Sequence, residues 1–173
     1  MRCFISVKVD GSLLEKAQDF LRNRVRGSFT DLSQAHFTLC FLSEKSQKEV
    51  EELKQKLSQV RFPSFQVELN GTGFFPSASK PRIAWAGVGK GKQELVGLEK
   101  VVSDAIRFVE EKPFSPHVTL ARIKSLENKS IAGEFVEKFG GSFGVFRVKK
   151  FSLMQSRLGE RPVHEELLGV DLP

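Results

Sequence analysis

One tetrapeptide occurs twice in this chain. His36-Phe37-Thr38-Leu39 is matched further on by His117-Val118-Thr119-Leu120, and the sequence holds only three histidines. Both copies lie in apolar, strand-like runs, AHFTLCFL and PHVTLARI. Alternate residues of a strand share a face. Each copy therefore presents one imidazole beside one hydroxyl. The fold must supply two strands that bring these pairs together, which makes a pocket of two histidines and two threonines suited to acid/base chemistry around a phosphate.

The rest of the pattern fits an α+β chain. Cys3, Ile5, Val7 and Val9 alternate with polar residues, which predicts a first strand. MRCFISVKVD is too short and too interrupted by charge to read as a signal sequence. A helix is expected from Leu13 to about Arg26, closed by Gly27. The first motif strand, 35–42, is followed by an amphipathic helix from Glu44 to Val60. Phe65 to Leu69 alternates as a strand, Gly71 to Pro76 reads as a turn-rich connection, and Arg82 to Val88 as the next strand. A long helix is expected from Gln93 to about Glu110, then the second motif strand, 117–123, and a shorter helix from Ile131 to Phe139. Strands near Phe143–Val148, Phe151–Arg157 and Val163–Val170 complete the chain, the last two joined by a hairpin at Gly159–Pro162. The expected architecture is α+β and bilobal: two lobes of similar plan, largely antiparallel sheets flanked by helices, and the motif strands side by side in a central cleft. No low-complexity linker divides residues 1–173, so one two-lobed domain is expected.

Several chemistries fit poorly. Two imidazoles suit zinc, yet neither motif brings a Cys, Asp or Glu on its own strand face, so no metal is expected. No Gly-x-Ser-x-Gly elbow occurs, and Cys40 has no evident third partner for nucleophilic catalysis. Cys3 and Cys40 form neither metal spacing nor a disulfide framework and read as free thiols in a reducing cytosol. Gly87 to Lys92 lacks the Gly-Lys-Ser/Thr ending of a phosphate-binding loop. No apolar run approaches the roughly 18 residues that span a bilayer. The charge of +6 favours a polyanionic partner, and Arg22, Arg24, Arg26, Lys149 and Lys150 either steer it or form a solvated surface. Phosphodiester cleavage matches the parts best. A neutral imidazole takes a proton from water or a hydroxyl, an imidazolium gives one to the leaving oxygen, and threonine hydroxyls bind the phosphate oxygens.

The twin His-x-Thr motifs resemble the two-histidine phosphoesterase superfamily, and within it the RNA 2′,3′-cyclic phosphodiesterases, also called 2′-5′ RNA ligases. The likeness runs nearly full length, through RCFISV, HFTLCFL, GTGFFPSASKPRIAWAGV, PHVTLARI and FSLMQSRLGERPVHEEL. It implies metal-independent, cofactor-free opening of a terminal 2′,3′-cyclic phosphate to a 2′-phosphate. His117 is then the proton acceptor that activates water, and His36 the donor to the departing ribose 3′-oxygen. Thr38 and Thr119 hold the phosphate. The two copies are nearly symmetric, so the residues themselves do not orient the acid and the base.

The resemblance also places Phe41 and Arg122, each five residues beyond its histidine, at the nucleotide. A ring stacks on a base and a guanidinium pairs with phosphate. Strand parity sets both on the face opposite the histidines unless the strands bulge, and core packing is the alternative for Phe41. Two residues depart from the family pattern: Ser43 where glycine is frequent, and His164 where tyrosine is frequent. If that tyrosine contacts substrate, His164 either replaces it or leaves the contact missing; as a lone third histidine it reads as a surface or packing residue. The implied partners are RNA with 2′,3′-cyclic phosphate ends, tRNA fragments among them, or cyclic nucleotides, with no membrane and no protein partner, in the cytoplasm. Ligation through a 2′-5′ bond and RNA-end binding without turnover are the alternatives.

Overall fold

The computed structural model describes residues 1–173. Nine strands and four α-helices form in the order β1 (Arg2–Lys8), α1 (Glu15–Arg22), β2 (Val25–Phe29), β3 (His36–Glu44), α2 (Gln47–Leu57), β4 (Phe65–Ser77), β5 (Lys80–Val88), α3 (Lys92–Ile106), β6 (Val118–Leu126), α4 (Ile131–Lys138), β7 (Ser142–Val148), β8 (Lys150–Arg157) and β9 (Val163–Asp171). The strands make two sheets, ordered β3-β1-β8-β9 and β2-β6-β5-β4-β7. Every pairing is antiparallel. The expected α+β class with antiparallel sheets and flanking helices is the observed one.

The sheets do not divide the chain into halves. The first sheet takes the two strands nearest the N-terminus apart from β2, together with the closing hairpin, and the second takes everything between plus β2. The motif strands β3 and β6 therefore belong to different sheets. They share no ladder, but their Cα atoms approach within 8 Å. "Side by side" is thus an approach of two sheets rather than a pairing of two strands.

Each sheet buries one face against helices. Cys40 on β3 contacts Ser103 on α3, Sγ to Oγ 3.4 Å, and Phe74 on β4 packs against Phe135 on α4 with ring centroids 5.5 Å apart. One buried apolar cluster links both sheets and all four helices.

Several expected boundaries move, among them the end of the helix expected at about Glu110, which falls at Ile106. The first helix ends at Arg22, and Val25–Phe29 forms a strand instead, because it pairs along β6. Gly27 makes that pairing fit: a Cβ there would lie 1.9 Å from the Arg122 carbonyl oxygen. Tertiary pairing overrides the local helical pattern. The glycine-rich stretch Gly71–Pro76 is not a connection but the second half of the long strand β4, which pairs with β5 through Ser77. Gly71 takes a φ of 76° at an irregularity in the ladder, and Gly73 makes room for a neighbour, since a Cβ there would lie 2.3 Å from the Trp85 ring. The helix expected from Glu44 starts at Gln47, where Ser46 and Glu49 cap each other reciprocally: Glu49 N–H donates to Ser46 Oγ at 3.2 Å, and Ser46 N–H donates to Glu49 Oε2 at 2.7 Å.

Replacing Gly27 by alanine forces β2 away from β6 and is expected to cost about 1–3 kcal/mol, the usual range for overpacking. The urea midpoint of unfolding measures this; an unchanged midpoint would show that β2 is not held so closely.

Candidate active site

Both histidines are fixed by the same local contact. The His36 Nδ1 lies 2.8 Å from the Gln34 carbonyl oxygen, and the His117 Nδ1 lies 2.8 Å from the Ser115 carbonyl oxygen. A carbonyl only accepts, so each Nδ1 carries the proton and donates it. Each neutral ring then keeps its lone pair on Nε2, the nitrogen left for proton transfer. The chain arrives at each position by a different route. A short 3-10 turn, Leu32–Gln34, precedes His36, held by Asp31 accepting from Ser33 N–H at 3.0 Å and Ser33 Oγ at 2.7 Å. Pro116 precedes His117 and favours an extended Ser115.

The motif strands depart from simple alternation at the same residue. On β6, Thr119 pairs with Trp85 and Ala121 with Ala84, so Leu120 is an extra residue. On β3, Thr38 pairs with Ser6 and Cys40 with Ile5, so Leu39 is extra in the same way, and a second irregularity follows at Leu42. Each bulge inverts the phase of the strand beyond it. Leu39-Cys40 and Leu120-Ala121 are consecutive buried pairs, as that inversion requires. Phe41 and Arg122 consequently return to the face that carries the histidine and threonine. The parity objection raised by the sequence is removed by the bulges. Phe41 is 67% exposed and lies across from Phe4 in the ladder; Arg122 is also exposed.

Gln18 holds the β6 bulge. It is buried on α1 and donates from Nε2 to the Leu120 carbonyl at 3.1 Å and to the Thr30 carbonyl at 2.7 Å. Thr30 N–H donates to the same Leu120 oxygen at 3.1 Å. Sequence reasoning passed over Gln18; its one signal is an amide on the buried stripe of a helix, next to Ala17 and in line with Leu21.

Each imidazole rests against an aromatic ring. Phe4 lies 5.2 Å from His36 and Phe75 lies 5.0 Å from His117, centroid to centroid. Phe75 leans in turn on Trp85 at 5.3 Å, whose indole covers Gly73. Trp85 shares the face of Thr119 by register, and its Nε1 is buried with no hydrogen-bond partner. Sequence reasoning had placed His164 at the surface or in packing; it stands against His36 with ring centroids 5.5 Å apart, and its Nδ1 is also buried without a partner. Burial pushes the His36 imidazolium below the usual histidine range, and the bond to Gln34 opposes that shift. Burial also lowers His164, with the charge of His36 adding to the effect.

The thiols stand apart from this chemistry. Cys40 is buried, and desolvation pushes it up to about 12 despite the Ser103 contact; Cys3 is raised by burial as well. Both are protonated at neutral pH and poor nucleophiles. No three His, Cys, Asp or Glu side chains gather as a metal-binding group. No helix is long and apolar enough to cross a membrane.

Known proteins resemble this chain in sequence and fold. Residues 12–160 match the family model of the 2′-5′ RNA ligase superfamily. The chain belongs to that superfamily. Among curated relatives, an Archaeoglobus fulgidus protein named RNA 2′,3′-cyclic phosphodiesterase is 34% identical over 96% of this chain and 98% of its own length. An Aquifex aeolicus protein of the same name is 31% identical over 91% of this chain and 89% of its own. A solved Thermus thermophilus structure is 30% identical with a TM-score of 0.74, covering 99% of this chain and 98% of that one. The E. coli LigT structure with 3′-AMP, at 22% identity, shares the fold with a TM-score of 0.76, covering 99% and 97%.

Replacing Gln18 by leucine leaves the Thr30 carbonyl without its side-chain donor and the bulge half-supported. A loss of about 1–3 kcal/mol in unfolding free energy is expected, the usual cost of a buried unsatisfied group, and calorimetry or chemical denaturation will measure it.

Proposed function

We propose that this superfamily member hydrolyses the terminal 2′,3′-cyclic phosphate of RNA to a 2′-phosphomonoester, acting as one two-lobed unit. The observation that carries the reading is the matched pair of imidazoles. Each has Nδ1 committed to a backbone carbonyl, and each stands on a strand whose bulge returns a fifth residue to the same face. The names of the curated relatives, matched over nearly the full chain, support the choice of phosphodiester.

In this reading His117 Nε2 takes a proton from water as the water oxygen attacks phosphorus. A new P–O bond forms, the bond from phosphorus to the ribose 3′-oxygen breaks, and His36 delivers its Nε2 proton to that oxygen. His36 ends neutral and His117 protonated; exchange with solvent resets both. Thr38 and Thr119 donate hydrogen bonds to the non-bridging oxygens as charge builds there. The anionic phosphate favours the protonated form of His36, opposing the effect of burial. Arg122 pairs with phosphate and Phe41 stacks on a base. The side chains alone supply acid, base and anion binding, so the step calls for no cofactor. RNA ends, including tRNA fragments, and cyclic nucleotides are the proposed substrates.

An oligoribonucleotide ending in a 2′,3′-cyclic phosphate, incubated with the protein in EDTA, is expected to yield a 2′-phosphate end. His36→Ala and His117→Ala should each lower kcat by ~10²–10⁴-fold, the usual worth of one acid or base. Tight RNA binding without turnover would point to a binding module, and recovery of a 2′-5′ joined product to a ligase.

Arg122→Ala should raise KM for the same substrate by about tenfold, corresponding to the loss of one charge-assisted contact, with Phe41→Ala reducing discrimination among terminal bases. Unchanged constants in both variants would remove these residues from the site.

A further inference from the structure

The face of β6 that carries Thr119 does not end at Arg122. A further irregularity lies beyond it: Arg26 pairs with Ser125 and Gly27 with Ile123, so Lys124 is an extra residue of β6. Arg26 stands two residues from Ser28, the ladder partner of Arg122, and so shares its face. Val25, the next residue of β2, is buried on the other face. Past this point the turn between β4 and β5 and the loop after β6 close round one shallow groove. Lys80, Arg82, Lys124 and Lys129 line it, with Ser79 and Ser125 between them. These cations, Arg26 and Arg122 are all exposed.

We propose that this end of the second sheet is a track for single-stranded RNA: the nucleotides that precede the cyclic end run from Thr119 and Arg122 along β6 to the groove, where the cations hold their phosphates. A 2′,3′-cyclic phosphate closes the 3′ terminus of a chain, so the rest of the RNA leaves the site on its 5′ side.

Three features carry the track. The first is unbalanced charge. Ion pairs within the protein hold Arg22, Lys45, Lys54, Lys100, Lys150 and Arg157; none holds a cation of this end. The Arg82 guanidinium reaches the Lys124 carbonyl, at 3.4 Å, and no carboxylate. Glu127 is the one carboxylate on the segments that meet here, 24–29, 77–82 and 118–129. Cations crowded without partners repel one another, and a polyanion relieves that repulsion. The second feature is continuity. Lys124 lies on the same strand as Thr119, roughly 15 Å further along at the rise of a strand, and Arg122 stands between them. The third is what the groove offers: cations and hydroxyls, with no exposed aromatic ring. Such contacts position a strand by its phosphates and do not read its bases.

The fold also divides the basic cluster seen in the sequence. Arg22 is drawn to Gln18 and Asp19, and Arg24 to the carbonyl and ring of Phe20. Arg26 alone of the three joins the track.

The track rests on the proposed hydrolysis for what it serves, but RNA binding tests it separately. Lys80→Glu/Lys124→Glu/Lys129→Glu reverses exposed charges that lie outside the acid, the base and the phosphate contacts of the reaction. On an oligoribonucleotide of about ten nucleotides ending in a 2′,3′-cyclic phosphate, this variant should lose about tenfold or more in kcat/KM. On 2′,3′-cyclic AMP it should stay within about twofold of the unaltered protein, since a mononucleotide has no phosphate in the groove. Fluorescence anisotropy with a labelled RNA of the same length, ending in a 2′-phosphate, gives affinity against salt. The slope of log affinity against log salt should be shallower by about 2 in the variant, because each phosphate contact to a single strand contributes about 0.7. The corresponding alanine variant, which adds no negative charge, should shift both measurements in the same direction by less. Equal losses on the long and the mononucleotide substrate, or no loss on the long one, overturn the track. So does an unchanged salt slope in both variants. If the unaltered protein turns over neither substrate, the hydrolysis fails and the anisotropy still decides the track.

Discussion

A β-strand has two faces, and residues at offsets of two and five cannot share one of them without an extra residue between. That constraint organises the site. Leu39 and Leu120, the last residues of the two tetrapeptides, are the extra residues. Before each bulge the strand presents imidazole and hydroxyl; beyond it the strand presents Phe41 or Arg122 on the same face. At Leu120 the carbonyl of the extra residue accepts from Thr30 N–H and from Gln18 of α1. The burial of a polar amide on a helix and the placement of an arginine on the histidine face are thus one arrangement.

The same economy fixes the imidazoles. A carbonyl two residues back holds each Nδ1, so the tautomer is set by the backbone and does not depend on a carboxylate partner. Without a carboxylate nearby, burial acts on His36 unopposed except by that single hydrogen bond. What distinguishes their surroundings lies outside the motifs, in the rings around them: phenylalanine alone at His117, phenylalanine with a second imidazole at His36.

Much of this was legible in the residues. The repeated motif, the alternation of β1, the periodicity of the helices and the closing hairpin follow from patterns with short range, and the folded elements agree within a few residues. The misreadings have a common cause. Val25–Phe29 was hidden behind a helical pattern because its partner, β6, is far away in sequence. Gly71-Thr72-Gly73 looked like a turn because glycine signals turns, whereas here Gly73 makes room for the Trp85 ring. Gln18 carried only its place on the buried stripe of a helix and His164 no local signal, since each matters only through a residue brought to it by another element.

The sequence by itself determined the reactive groups, their spacing and the elements that bear them, because side-chain chemistry and strand or helix periodicity are local properties. The tertiary structure decided which residues share a face, through bulges that depend on cross-strand register. It also decided that the two motifs lie on different sheets, and that one histidine of a symmetric pair has a third imidazole for a neighbour. Those outcomes are set by which strands meet, and no local pattern encodes a meeting between residues so far apart in the chain.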